Sequence, residues 1–134
     1  PQDLMMTQAQ VRQLHAAGVE IGAHTVDHPI LTSVADDVAA RQMQDSKRAL
    51  ETMIGAPVSS FAYPNGKPLR DYAARHVAMA RDAGFDLALS TAWGAATRLS
   101  DPFQIPRVAA WDQDALRYGM RLAKAYRDRR PTLA

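Results

Sequence analysis

Residues 19–28, with the sequence VEIGAHTVDH, combine a short apolar segment with two histidines that follow it directly. The apolar residues 19–23 predict a buried strand, because a short run of this kind followed by polar loop residues is typical of one. His24 and His28 then stand four positions apart just past its end. Neutral imidazole nitrogens bind Zn²⁺, so the pair is a candidate metal clamp, although a bare pair at this spacing is more often an ordinary polar loop.

Helix signals lie on both sides of this stretch. Thr7 and Gln10 form the pattern of a capping box, and Gly18 predicts the end of the helix that starts there. On the other side, Ser33 is expected to cap a second helix, which Gly55 ends. The strand at 19–23 is therefore predicted to lie between two helices.

The alternation of helices and strands continues to the end of the chain. Further strands are predicted over residues 58–63, 85–90 and 105–109, and further helices over 71–83 and 113–129. Four residues are the expected core contacts of the last helix: Leu116, Met120, Leu122 and Tyr126. Strands that alternate with helices indicate an α/β fold with a parallel sheet and covering helices.

Three polar loops follow predicted strands. The His24–His28 loop follows the first strand, residues 64–66 follow the second, and residues 91–94 follow the third. In parallel α/β proteins, ligands bind at the carboxyl ends of the strands. The sequence therefore predicts a functional site where these three loops meet.

Composition limits the classes of function. The chain has 134 residues, of which 47% are hydrophobic, and this suits a single globular domain over residues 1–134. The net charge is +2, and the basic residues near the C-terminus have too few aromatic residues among them to predict nucleic-acid binding. The lack of cysteine excludes disulfides and thiolate metal sites, and no run approaches the ~18 apolar residues of a membrane span.

Two blocks carry a resemblance to a known family. Residues 18–31, GVEIGAHTVDHPIL, and residues 61–66, FAYPNG, resemble the polysaccharide deacetylases of the NodB-homology type, the carbohydrate esterase 4 family. A weaker trace lies at residues 84–86 and 105–108, so the resemblance runs from about Thr7 to Val108. It implies a partial, distorted (β/α) barrel made of the later βα units of such a domain. It also implies a location in the cell envelope, in the periplasm or outside the cell.

The resemblance also implies an activity, a cofactor and residue roles. The family comprises hydrolases that remove acetyl groups from N-acetylated or O-acetylated polysaccharides with a divalent metal, most often zinc. By resemblance, His24 and His28 would hold the metal and Thr25 would brace their loop. Asp27 is a conceivable third ligand, but its position between the two histidines makes convergence on one ion awkward, so it is expected to brace the loop. The backbone N–H of Asn65 would lie in the oxyanion hole.

Further roles are assigned on weaker grounds. Arg107 is a candidate substitute for the family's arginine, because Ala62 stands where that arginine is expected. Tyr63, Pro64 and Trp93 are candidate substrate-binding residues, with a place in the core as the alternative for Tyr63 and Trp93. An aromatic face at such a position can stack on a sugar ring.

Important parts of the family pattern have no counterpart in this chain. The opening strand that ends in Thr-Phe-Asp-Asp, with the catalytic base and the third metal ligand, is missing, and no histidine follows His76 to act as the general acid. One expectation is therefore an incomplete and inactive part of a deacetylase. The alternative is a non-catalytic short homologue that binds carbohydrate or forms a homo-oligomer through open barrel edges.

Overall fold

Two short parallel strands lie at the centre of the computed structural model, which describes residues 5–108, 111–127 and 132–134. Strand β1 comprises Ser60–Ala62 and strand β2 comprises Leu87–Leu89, with Phe61 opposite Ala88. These strands confirm an α/β fold with a small parallel sheet.

The two outer strands predicted from the sequence are each reduced to one bridge. Ala23 pairs in parallel with Phe61 on one side of the sheet, and Ile105 pairs in parallel with Leu89 on the other. Each outer segment is paired with the sheet along one edge only. Residue 109, where the last predicted strand ends, lies outside the described part of the chain.

Helices and segments of the sheet alternate along most of the chain, starting with a helix. In the described part of the chain the α-helices are α1 Gln8–Ala16, α2 Asp36–Ile54, α3 Ala74–Asp82 and α4 Ala115–Arg127, and a 3₁₀ turn spans Leu31–Ser33. The predicted extension of α4 to residue 129 falls on undescribed residues. No helix in the described ranges is long and apolar enough to cross a membrane.

The helix caps test the predictions made from local patterns. Thr7 and Gln10 form the predicted capping box, with the Thr7 N–H donating to Gln10 Oε1 at 2.7 Å. Gly55 ends α2 in the left-handed conformation, with a φ of 70°. The expectation for Ser33 is wrong, because Ala35 is the N-cap of α2 and the Ser33 hydroxyl instead donates to the Ile30 carbonyl within the 3₁₀ turn.

The core lies between the sheet and the helices α2 and α3. Its aromatic centre is a stacked pair, Tyr63 and Tyr72, whose ring centroids lie 3.9 Å apart at an interplanar angle of 5°. Phe61 meets Tyr63 edge to face at 5.3 Å. Among the largest fully buried side chains are also Leu31, Met43, Val58 and His76.

Helix α4 departs most from the sequence prediction. The four expected core residues are exposed, by 72% for Leu116, 58% for Met120, 40% for Leu122 and 70% for Tyr126. The buried residue of this helix is Ala125. The sequence has the apolar residues expected of α4, but within the described residues they stay exposed. Periodicity alone does not say which element, if any, covers an apolar stripe.

Candidate metal centre

The His24 and His28 imidazoles lie next to each other past the Ala23 bridge. Their ring centroids are 4.7 Å apart, and the ring planes meet at 70°. His24 Nδ1 lies 2.7 Å from the carbonyl oxygen of Ala62, the last residue of β1. A carbonyl oxygen only accepts hydrogen bonds, so Nδ1 carries the proton. The lone pair of His24 is therefore on Nε2, which is the form of histidine that binds metal ions.

Electrostatics favour the same neutral form of His24. Its pKa is lowered, chiefly because burial disfavours the charged imidazolium, and the hydrogen bond to Ala62 opposes this effect. The neighbouring charges of His28 and Arg107 lower the pKa further. A neutral imidazole does not have to lose a proton before it binds a cation.

The loop between the histidines has an unusual backbone. Thr25 and His28 adopt left-handed conformations with φ of 63° and 55°. Non-glycine residues in this region typically cost ~1–3 kcal/mol each and persist only where surrounding contacts hold them. The Thr25 hydroxyl donates to the carbonyl of its neighbour His24. Asp27 accepts a hydrogen bond at Oδ2 from the side chain of Gln42, so both residues expected to brace the loop make hydrogen bonds beside it.

Another left-handed residue, Asn65, lies in the loop after β1. Asn65 has a φ of 55°, and its carbonyl accepts a 2.7 Å hydrogen bond from the Thr91 hydroxyl. The Thr91 N–H donates to the Gly66 carbonyl at 2.8 Å. Within the described ranges the Asn65 N–H has no hydrogen-bond partner. The turn therefore presents a free backbone donor on a well-held loop.

Two imidazoles alone make a partial ligand set for a divalent cation. Structural and catalytic zinc sites use at least three protein ligands. The described residues contain no group of three His, Cys, Asp or Glu side chains that could hold a metal. The nearest carboxylate in sequence, Asp27, bonds to Gln42 instead. The donor set therefore fits the chemistry of a divalent metal but is incomplete in this part of the chain.

Comparison with known proteins identifies the family of this chain. The sequence profile of a family described as polysaccharide deacetylase matches residues 3–88. The chain belongs to this family.

Individual relatives give the extent of the likeness. YxkH of Bacillus subtilis (strain 168), whose name places it among the polysaccharide deacetylases, is 26% identical over 103 residues, covering 77% of this chain and 36% of that protein. The deacetylase PplD of Streptococcus pyogenes, solved in complex with acetate, is 26% identical with a TM-score of 0.71, over 77% of this chain and 44% of PplD. IcaB of Ammonifex degensii, at 21% identity, shares the fold with a TM-score of 0.72 over 90% of this chain and 53% of IcaB. The chain thus spans about a third to a half of the length of these relatives.

Arg107 reaches the same edge of the sheet in this deacetylase-family chain. Its Nε donates to the Ser90 carbonyl at 3.1 Å, directly after β2. Its charge is close enough to His24 to lower the pKa of that imidazole. The structure therefore brings Arg107 near the histidine pair, while its role as a substitute for the family's arginine stays a prediction.

Tyr63 and Pro64 lie beneath the loops rather than on them. Both are fully buried, and the Tyr63 hydroxyl donates to the Phe103 carbonyl at 2.9 Å. The burial of Tyr63 agrees with its alternative place in the core, while substrate binding by Tyr63 and Pro64 stays a prediction. Tyr63 directly follows β1 and lies two positions after Phe61, a spacing that places both side chains on the same buried face of an extended segment.

Trp93 lies in the loop after β2 at the edge of an open cleft. The cleft has a volume of about 540 Å³, and α4 supplies much of its wall. Besides Trp93 it is lined by Asp112, Arg117, Met120, Arg121 and Lys124. Trp93 Nε1 is buried without a hydrogen-bond partner in the described residues. The indole as a whole is only half-buried, and it lines a space large enough for a sugar unit.

Sequence reasoning passed over Gln42, and it gave His76 no role in the site. Gln42 lies on α2 and binds the histidine loop. His76 is fully buried, and its Nδ1 accepts the Ala73 N–H at 3.0 Å at the start of α3. The only sequence signal for Gln42 is its polar side chain next to the apolar Met43. The only signal for His76 is a helix that starts without a Ser, Thr or Asp cap.

Proposed function

We propose that this chain supplies the two histidine ligands and the oxyanion donor of a site that hydrolyses acetyl groups on an acetylated polysaccharide. The observation that carries the proposal is the pair of imidazoles, 4.7 Å apart, with His24 held by the Ala62 carbonyl so that Nε2 is free. Family membership supports the class of reaction.

A divalent metal, most readily zinc, would be held by His24 and His28. When bound, such a metal polarises a carbonyl and lowers the pKa of a bound water to about 7. The chain's own contribution is to hold the two imidazoles close together and to favour the neutral form of His24. The burial of His24 and its tautomer serve that purpose.

The Asn65 N–H would stabilise the oxyanion that forms when the acetyl carbonyl is attacked. The donor is free of partners within the described chain, and Thr91 holds its loop at two points. A donor fixed before the reaction does not need to reorganise, and removal of one such donor typically lowers kcat by about 10²–10³-fold. Trp93, beside its cleft, would contact the sugar chain.

The general base and the third metal ligand complete the proposed site. The family places both on a strand ending in adjacent aspartates, for which the 134 residues contain no counterpart. We propose that residues 1–134 form the later βα units of a (β/α) barrel domain and that this chain by itself has little or no activity. The general base and the metal act together in catalysis. The remaining groups therefore do not offset the loss of the base and of the third metal ligand.

Zinc titration by calorimetry tests the metal half of the proposal. The unchanged chain is expected to bind Zn²⁺ weakly, and H24A and H28A are each expected to abolish binding. H15A is the matched control, because His15 lies on α1 outside the pair. Equal binding by H24A and the unchanged chain would refute the assignment. Binding tighter than ~1 nM would reveal a third protein ligand.

A non-catalytic role is the second candidate. It is favoured by the exposed apolar side chains of α4, with Leu116 and Met120 on one side of the helix. Large exposed apolar residues in one patch are typical of interaction surfaces. In this role the chain would associate with a second copy through α4, and the histidine pair would be a remnant of the family pattern.

A further inference from the structure

Gln42 connects helix α2 to the loop that carries both histidines. Its Oε1 accepts the N–H groups of Val26 and Asp27 at 2.9 and 3.0 Å. Its Nε2 donates to Asp27 Oδ2 at 2.7 Å. One side chain on a regular helix therefore holds the middle of the loop at three points.

These hydrogen bonds are placed where the loop is under strain. Val26 and Asp27 lie between Thr25 and His28, the two residues with positive φ. In a loop that no contacts hold in place, such residues would relax towards the common conformations with negative φ. The contacts of Gln42 resist that relaxation, because they tie the intervening peptide groups to a 19-residue helix.

The carboxamide is suited to this task because it both accepts and donates. The carboxamide oxygen accepts hydrogen bonds from the two backbone N–H groups, and the nitrogen donates one to the Asp27 carboxylate. A glutamate would retain the acceptor but place a second negative charge against Asp27. A methionine of similar length would make none of the three bonds.

We propose that Gln42 is a positioning residue that sets the separation of the His24 and His28 rings and thereby the strength of metal binding. The part concerning metal rests on the proposed function. The part concerning ring separation stands on the hydrogen bonds and backbone angles alone. Partners beyond the direct ligands typically change metal affinity by about 10–100-fold when removed.

The test compares Q42M and Q42E with Q44M as the matched control. Gln44 lies on the same helix and is exposed, and its side chain makes no hydrogen bond to the described residues. Three measurements are made on each: amide hydrogen exchange at Val26 and Asp27, the nuclear Overhauser effect between the two imidazole rings, and calorimetric Zn²⁺ titration.

Q42M is expected to speed exchange at both amides about tenfold or more, weaken the ring-to-ring effect, and weaken zinc binding by about 10–100-fold. Q42E keeps an acceptor for the Val26 N–H, so exchange at Val26 should change less in Q42E than in Q42M. Q42E also keeps the test valid if Q42M does not fold. Q44M should match the unchanged chain. Unaltered exchange and ring contacts in both Gln42 variants would overturn the proposal. If the unchanged chain binds no zinc, the proposed function and the metal part of this inference fail, whereas ring contacts still decide the positioning part.

Discussion

The Thr91 hydroxyl donates a 2.7 Å hydrogen bond to the carbonyl of Asn65, and so links the ends of two neighbouring strands. Asn65 follows β1 and Thr91 follows β2, and the two residues are 26 positions apart in the sequence. This contact fixes the carbonyl side of the Asn65 turn and leaves its N–H free. The hydrogen bond thus holds Asn65 in its left-handed conformation and does not engage the Asn65 N–H.

T91V should loosen this turn. The substitution keeps the shape of the side chain and removes the hydroxyl, so the loss of one hydrogen bond is expected to lower the free energy of unfolding by about 0.5–1.5 kcal/mol. T91S retains the hydroxyl and serves as the control. Urea denaturation measures both, and equal stabilities of T91V and T91S would argue against a stabilising role for the bond.

G66A should be more harmful than G55A. Both glycines have positive φ, 73° at Gly66 and 70° at Gly55, so the backbone penalty is similar. A Cβ at Gly66 would lie 3.1 Å from both Thr91 N and Tyr63 O, whereas one at Gly55 would meet nothing within 4 Å. We expect about 1 kcal/mol of destabilisation for G55A and a clearly larger loss for G66A in chemical denaturation. The opposite order would show that the turn at Asn65 relaxes freely.

Stability should fall as the pH rises above about 10 because of the buried tyrosines. Burial raises the pKa of Tyr72 to about 12, with smaller effects from a hydrogen bond to Ser90 that lowers it and from Asp101 that raises it. An unfolded tyrosine has a pKa of about 10. The folded state therefore holds the phenol proton longer than the unfolded state, and this stabilisation is complete below pH 10 and is lost as the pH rises towards 12.

Denaturation curves at intervals from pH 8 to pH 11.5 measure this effect. Y72F is the comparison, because it removes one titrating group while keeping the ring that stacks on Tyr63. The slope of stability against pH should be shallower in Y72F than in the unchanged chain. An identical slope in the two proteins would show that Tyr72 titrates in the folded state with an ordinary pKa.

Helix α4 should decide whether the chain associates with itself. L116E places a charge in the exposed apolar stripe and is expected to shift a dimer towards monomer in sedimentation velocity. L99E is the control, because Leu99 is 95% exposed in a loop outside α4. A monomer at all concentrations in the unchanged chain would count against the non-catalytic candidate function.

The sequence by itself determined the features that depend on a few neighbouring residues. The capping box of Thr7 and Gln10 and the glycine end of α2 were predictable because each device lies within one or two helical turns. The block around His24 placed two imidazoles just past a strand, and it carried the family resemblance.

Only the tertiary structure decided which faces are buried and which side chains meet across the chain. Tyr63 stacks on Tyr72 within the core, and Gln42 binds a loop 15 or 16 residues earlier. The stripe of α4 shows the same limit, because periodicity reveals an apolar face but not the element that covers it. Such contacts depend on how helices and strands are arranged in space, and that arrangement is set by the whole chain rather than by any local pattern.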